Sequence, residues 1–267
     1  MRIEKIDVKG VPETMLQTLY ARAKESLKEN HCIYDVKAVE MVSQLDYDFS
    51  LADKDTAMSS GVIARTILLD KMVEEFLESH EDTTVVNLAC GLDTRCYRME
   101  GKYKNWYNLD LPETMNIRKR FLKETDRIHQ ITESAMDKKW TDAVEPAGKN
   151  VLIIIEGLTM YLSRKDVQSI FAAAVELKGE VTIFVETMSP WIVKHFKEKS
   201  IEGSAAKFTW GVKNGRELQK IIPGYVSVKD YSLVEGMAVF LPIYRVLGKI
   251  GFVRNISNKI LIMKKSM

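Results

Sequence analysis

The sequence predicts an α/β protein: a doubly wound, mostly parallel sheet preceded by an N-terminal helical cap. Three observations predict it. The first eighty residues carry apolar stripes at helical spacing, and from residue 83 short apolar runs alternate with helical patterns. The first of those runs also ends in a glycine turn, with an acid 19 residues beyond it.

The opening helix is VPETMLQTLYARAKESLK, where Pro12 suits a first helical turn and Val11, Met15, Leu16, Leu19, Ala23 and Leu27 share one face. A second helical pattern covers DVKAVEMVSQL. ADKDTAMSSG is expected as a polar break, after which a third helix runs through VIARTILLDKMVEEFLESH with Ile63, Ile67, Met72, Val73, Phe76 and Leu77 as core contacts. Residues 1–80 are thus the expected cap and 81–267 the expected core.

In the core, TTVVNLA, NWYNLDL, VLIIIEG and VTIFVET are short enough to be buried strands. PETMNIRKRFLKET and SRKDVQSIFAAAVELKG lie between them as helices. Ser163 and Asp166 make a capping-box pattern for the latter, and Gly179 is expected to stop it. Residues 189–212 read as an inserted helical segment, with the charged amphipathic stretch WIVKHFKEKSIEGSAAKF followed by TWG. The remainder offers a short helix in NGRELQKII, a strand near YVSVKDYSLV, an apolar helical stretch around AVFLPIYRVLGKI and a final strand in NKILIMK.

Length and composition set bounds. A chain of 267 residues suits one α/β domain with added elements, and 39 basic against 37 acidic residues give a charge of +2. That is too little to argue for nucleic acid or an anionic membrane as partner. Cys32, Cys90 and Cys96 have no paired spacing, which fits a reducing compartment and an expected cytoplasmic address. The first ten residues hold no apolar signal region and no run approaches the ~18 apolar residues of a membrane span. His31, His80, His129 and His195 lack metal-ligand spacing, so no metal site is expected.

VVNLACGLDTR carries the most chemistry. A buried strand runs into Ala89, Cys90 and Gly91, the junction that lies under a nucleotide in dinucleotide-type folds. A glycine there also serves purely local turn needs. Asp110 ends the next strand, where a carboxylate can accept two hydrogen bonds from a ribose diol. Only one glycine of the G-x-G-x-x-G fingerprint is present, which disfavours a pyrophosphate. A phosphate-free nucleoside such as S-adenosylmethionine would instead require an arginine and a carboxylate nearby, for its own carboxylate and ammonium.

Taken in order, TLYARAKES, GVIARTILLD, VVNLACGLDTR, WYNLDLPETMNIRKRF, SAMDKKW and IIIEGLTMYLS resemble the leucine carboxyl methyltransferase family. The first two are most similar to its bacterial branch of tetracenomycin-type polyketide O-methyltransferases, and the resemblance spans roughly residues 11–190. It implies a class I methyltransferase sheet with an antiparallel final hairpin, S-adenosyl-L-methionine as cofactor, and an oxygen of a small-molecule acceptor as methyl target. By it, Arg65 pairs with the methionine carboxylate, Ala89, Cys90 and Gly91 lie under the cofactor, and Asp110, with Leu111 beside it, holds the ribose. Ser134 and Ala135 fall where the family holds adenine; many members have Asp-Leu there, leaving Asp137 or the backbone for that contact.

Glu156 falls near the methionine end and Tyr161 in the acceptor pocket; these two are the catalytic candidates. Tyr20 and Arg22 would close over the cofactor. Each position also has an ordinary explanation: Arg65 or Arg22 solvated on a helix, Glu156 capping a helix terminus, Tyr161 in the core, Cys90 a small buried residue. The implied reaction is in-line displacement of a sulfonium methyl, for which a carboxylate acceptor needs no base and a phenol or alcohol does. No histidine falls in the matched motifs, so no base is named. Competing expectations are a protein C-terminal carboxylate as acceptor, a nicotinamide-dependent oxidoreductase sharing Gly91 and Asp110, and a non-catalytic cofactor-binding scaffold. The methyl-donor assignment requires Arg65 to face the crevice above the strand ends and the space beside Gly91 to be open.

Overall fold

The structure, a computed structural model, describes residues 4–5, 11–195 and 207–266. Four helices precede the sheet: α1 (Val11–Ser26), α2 (Val36–Val42), α3 (Ser50–Lys54) and α4 (Thr56–Ser79). The stretch expected as a polar break is therefore helical. Asp55 is the reason: it ends α3, and its carboxylate accepts the Met58 N–H at 2.8 Å to start α4, so a single capping residue replaces a loop. A two-residue parallel pairing joins Glu4–Lys5 to Leu45–Asp46.

Seven strands form the main sheet: β1 (Thr84–Leu88), β2 (Asn105–Asp110), β3 (Ile128–Thr132), β4 (Asn150–Ile155), β5 (Glu180–Thr187), β6 (Tyr225–Ser232) and β7 (Lys259–Lys265). Their spatial order is β3-β2-β1-β4-β5-β7-β6, parallel through β5, with β7 antiparallel to both neighbours. The doubly wound sheet and antiparallel final hairpin match expectation. The strand β3 was not legible as an apolar run: it is an outer strand in which only Ile128 of IHQIT is buried.

The helices after β1 are α5 (Arg95–Arg98), α6 (Pro112–Phe121), α7 (Arg164–Ala174), α8 (Pro190–His195), α9 (Gly215–Gln219), α10 (Val234–Phe240), α11 (Tyr244–Leu247) and α12 (Gly251–Ile256). The Ser163–Asp166 capping box opens α7. Gly179 does not stop that helix, which ends at Ala174; it turns the chain into β5 at φ +98°, where a Cβ would lie 2.5 Å from the Lys149 carbonyl oxygen. The apolar helical stretch near 238–250 is divided, since Pro242, between α10 and α11, cannot donate to a continuous helix. Of the inserted segment expected at 189–212, α8 is described, whereas 196–206 lie outside the described residues.

The period of two along β4 shows why the sheet is covered on both faces. Val151, Ile153 and Ile155 pack with Val167, Ile170 and Phe171 of α7, while Leu152 and Ile154 pack with Leu68, Leu69, Met72 and Val73 of α4. A third cluster joins Leu16, Leu19 and Ala23 of α1 to Ala38 and Met41 of α2, and to Leu92 and Ile117 of the core. Helix α1 therefore lies over the turn that follows β1. Because β1 to β5 run parallel, their C-terminal ends share one edge, and the strand order reverses between β1 and β4.

Candidate active site

That reversal point carries a narrow cleft lined by Ala89, Cys90, Gly91, Glu156 and Gly157 from the strand ends, with Thr14, Met15, Thr18 and Arg22 of α1 above. Ala89 and Gly91 have φ of +51° and +49°, and Gly157 of +65°. These left-handed turns line the crevice on both sides. Each oxygen of the Asp110 carboxylate accepts one backbone N–H, Gly91 and Leu111 each at 2.7 Å. Burial nonetheless raises the Asp110 carboxyl above its ordinary range, outweighing those two bonds. Further donors, such as a diol, would relieve it.

Arg65 projects from α4 into the crevice and is not a solvated surface residue. Its Nη1 lies 3.0 Å from Glu186 Oε2 and its Nε 2.7 Å from Glu156 Oε1. The Nε contact is close but not aligned as a hydrogen bond, leaving a buried N–H unsatisfied. Burial alone would lower the Arg65 guanidinium, but Glu186 and Glu156 outweigh it and hold the charge in place. Glu156 also accepts from Arg95 Nη2 at 2.9 Å, so it caps no helix and is held between two guanidiniums.

Sequence reasoning missed two of these groups. Glu186, 2% exposed, accepts the Gly157 N–H at 2.8 Å as well as Arg65. Arg95, 1% exposed, contacts Asp70, Asp93 and Glu156 at 2.6, 2.7 and 2.9 Å. The signal for both was a charged residue in or next to a strand-end motif, where burial requires a partner. Through Arg98, which contacts Asp70 and Asp35, the alternating charges continue to Arg22 on α1, 2.9 Å from Asp35. Arg22 is buried and also donates to the Leu92 carbonyl at 2.8 Å, so it closes over the cleft. Tyr20 does not: its hydroxyl donates to Asp53 at 2.9 Å and its ring stacks on Phe49, on another side of α1.

The sites expected for adenine follow β3, next to β2, where the Glu133 N–H bonds to the Asp110 carbonyl. Ser134 Oγ accepts the Met136 N–H and the Ala135 carbonyl accepts the Trp140 indole N–H. Asp137 accepts the Lys139 N–H as cap of a short 3-10 turn at Lys138–Ala143, so its carboxylate is engaged locally. Cys90 is buried, and burial pushes its thiol well above the ordinary range, which makes it a poor nucleophile.

Against the expectation of open space beside Gly91, Met15 Cβ stands 3.3 Å from where a Cβ on that glycine would be. The cleft is about 80 Å³, smaller than pockets that enclose a nucleoside. The filling group belongs to the cap helix and to no strand. Next to the cleft, and sharing Thr14, Thr18, Arg65 and Gly157 with it, is a larger cavity of about 710 Å³. Met58, Val62, Met160, Met188, Phe208 and Leu233 make most of its wall apolar, and Tyr161 and Glu186 face it. Tyr161 thus lines a cavity and lies 5.7 Å from the Phe208 ring. Among the described residues no group of three or more metal-ligating side chains is assembled.

The set fits a ligand with a diol at one end and an amino acid at the other: a desolvated carboxylate at Asp110, a guanidinium with an unaligned N–H at Arg65, and a carboxylate at Glu156. Comparison with known proteins agrees. A family profile described as leucine carboxyl methyltransferase matches residues 15–175. The tetracenomycin polyketide synthesis O-methyltransferase TcmP of Streptomyces glaucescens is 31% identical over 87% of this chain and 86% of its own length. An S-adenosyl-L-methionine-dependent methyltransferase, dpfgK, of Gibberella zeae is 29% identical over 82% of this chain and 81% of its own. The crystal structure of magnesium protoporphyrin IX methyltransferase from Synechocystis PCC 6803 superposes with a TM-score of 0.50 at 9% identity, covering 79% of this chain and 88% of that one, a likeness of fold alone. The chain belongs to the leucine carboxyl methyltransferase family and is an S-adenosylmethionine-dependent methyltransferase.

Proposed function

We propose that the protein methylates an oxygen of a small, largely apolar acceptor bound in the 710 Å³ cavity. The observation that carries this is the pair Arg65 and Gly157, which line both that cavity and the cleft over Gly91, so that two ligands meet at one wall. An O-methyltransferase of polyketide synthesis among the relatives supports the choice of atom and acceptor class.

In this proposal Asp110, with Leu111, holds the ribose, Ala89, Cys90 and Gly91 lie beneath the nucleoside, and the Ser134–Ala135 backbone borders adenine. Arg65 takes the methionine carboxylate and Glu156 the ammonium. When bound, S-adenosylmethionine supplies an electrophilic sulfonium methyl. Arg95 holds Glu156 in place, and Arg22 and Met15 exclude water from above. Tyr161 orients the acceptor. A carboxylate acceptor asks no proton transfer of the chain, which suits a cavity without histidine among its lining residues. The division into a cap at 1–80 and a core at 81–267, and a cytoplasmic site of action, belong to the same proposal; the free thiols of Cys32, Cys90 and Cys96 support the latter.

The test is incubation of the purified chain with S-adenosylmethionine and a panel of aromatic carboxylic acids, phenols and peptides, followed by mass spectrometry. An acid or phenol one methylene heavier is expected. Methylation of peptide C-terminal carboxylates alone would assign the cavity to a protein acceptor.

A further inference from the structure

The charge of +2 conceals an uneven distribution: residues 236–267 hold six cationic side chains and no acidic one. The same stretch contains α10 to α12, which leave large apolar side chains in solvent. Val239 is 50% exposed, Ile243 59%, Val246 63%, Ile250 48% and Phe252 65%. Ile243, Val246 and Ile250 recur at steps of three and four residues, and backbone bonds such as Val246 N–H to Ile243 and Ile250 N–H to Leu247 keep the chain in helical turns between them, whereas Val239 precedes the break at Leu241 and Pro242. These three therefore share a side. Arg245 and Lys249, both exposed, lie within that run and form no ion pair among the described residues.

Phe252 also borders a hollow of about 560 Å³ whose lining includes Trp191, Lys213, Arg254 and Lys259. Lys259 is 8% exposed and donates to the Asn255 carbonyl at 3.1 Å; Arg254 is shared with Glu235 at 2.9 Å. Asp230, the carboxylate in that lining, accepts the Gly215 N–H at 3.2 Å and also acts by its charge on Lys259, so the three cations outnumber it without being free of it. An apolar face beside a hollow with three cations suits an amphiphile with an anionic head. A second copy docked by two-fold symmetry would bring two copies of this basic patch together.

We propose that this face docks on an anionic lipid surface, with the apolar side chains of α10 to α12 entering the acyl boundary and the Lys213–Arg254–Lys259 hollow receiving a phosphate headgroup. The docking surface is separate from the methyl-transfer site, although α10 packs on α4 so closely that a Cβ on Gly236 would meet the Ala64 carbonyl.

The full chain is to be sedimented with vesicles of phosphatidylcholine alone and with vesicles containing about 30% phosphatidylglycerol, where the surface potential attracts basic side chains. Pelleting is expected only with the anionic vesicles, weaker at high salt. Lys249→Gln should lower partitioning roughly fivefold, the order of one cation at such a surface. The double variant Val246→Glu, Phe252→Glu should stay in the supernatant while keeping its melting temperature and its affinity for S-adenosylhomocysteine. The proposal is overturned by absence of pelleting at low salt, or by undiminished pelleting of the double variant. A dimer that the double variant dissociates would overturn it too, by assigning the face to a second copy.

Discussion

Arg65 and Glu186 stand 121 positions apart in sequence and 3.0 Å apart in space, and their contact joins the cap helix α4 to the last residues of β5. Glu156 shares the same guanidinium. Arg65→Met would leave the buried Glu186 without a guanidinium, while Glu156 keeps Arg95, at a cost of about 3 kcal/mol in folding stability. Arg65→Lys keeps the charge but not the planar fork, and should weaken S-adenosylhomocysteine binding about tenfold or more by calorimetry. Unchanged affinity in the lysine variant would remove Arg65 from the cofactor's carboxylate.

Asp110→Ala deletes a charged acceptor and frees the Gly91 and Leu111 N–H groups. Cofactor binding should weaken by about 1–3 kcal/mol, read as a higher dissociation constant. A value equal to that of the parent chain would mean that the ribose is held elsewhere.

Acid should unfold the site through Asp35, Asp70 and Asp93. Burial raises all three, but Arg22 and Arg98 at Asp35, Arg98 and Arg95 at Asp70, and Arg95 and Arg98 at Asp93 prevail, so each carboxyl is held below its unfolded value. Groups lowered in this way stabilise the fold fully above about pH 4 and lose that contribution as pH falls through their folded values. A melting temperature recorded from neutral pH downward should decline below about pH 4. Asp70→Asn should melt lower at neutral pH and decline less steeply.

Ala89 holds a left-handed conformation, φ +51°, that costs an L side chain about 1–2 kcal/mol. Ala89→Gly removes that strain and restores about 0.4–1 kcal/mol of unfolded-chain entropy, so a net gain of about 0.5–1 kcal/mol is expected. Calorimetry should register it as a rise of a few degrees. A fall in melting temperature would show the strain to be compensated by packing.

Met15 over Gly91 leaves room only if α1 moves. Amide exchange in Thr14 to Arg22 should therefore slow when S-adenosylhomocysteine is added, as the helix settles on the ligand. Equal exchange with and without it would place the entry route elsewhere.

Much of this was legible because burial writes itself into strands: β1, β2, β4 and β5 are buried along most of their length and apolar at half of their positions or more. The outer strand β3 has one neighbour in this sheet and four of its five side chains half-exposed, so IHQIT carried no such mark. Gly91, Asp110 and Glu156 were readable because they sit in strand-end motifs, and Arg65, on α4, was readable only through the resemblance of GVIARTILLD. Glu186 closes VTIFVET with nothing around it to announce a partner on α4, and its role became visible only when β5 was laid beside β4. The partial filling beside Gly91 was equally invisible, being a contact between a cap helix and a turn that lie 76 positions apart.

The placement of β7 between β5 and β6 has a consequence for how the chain is made. During vectorial synthesis, β6 leaves the ribosome before the only neighbour it has in this sheet, and β5 waits with one edge uncovered. Neither is sealed until residues 259–265 emerge. A nascent chain stalled a few residues short of that point would present two open edges to the cell, and the sheet would close in a single late step as the final strand slides in.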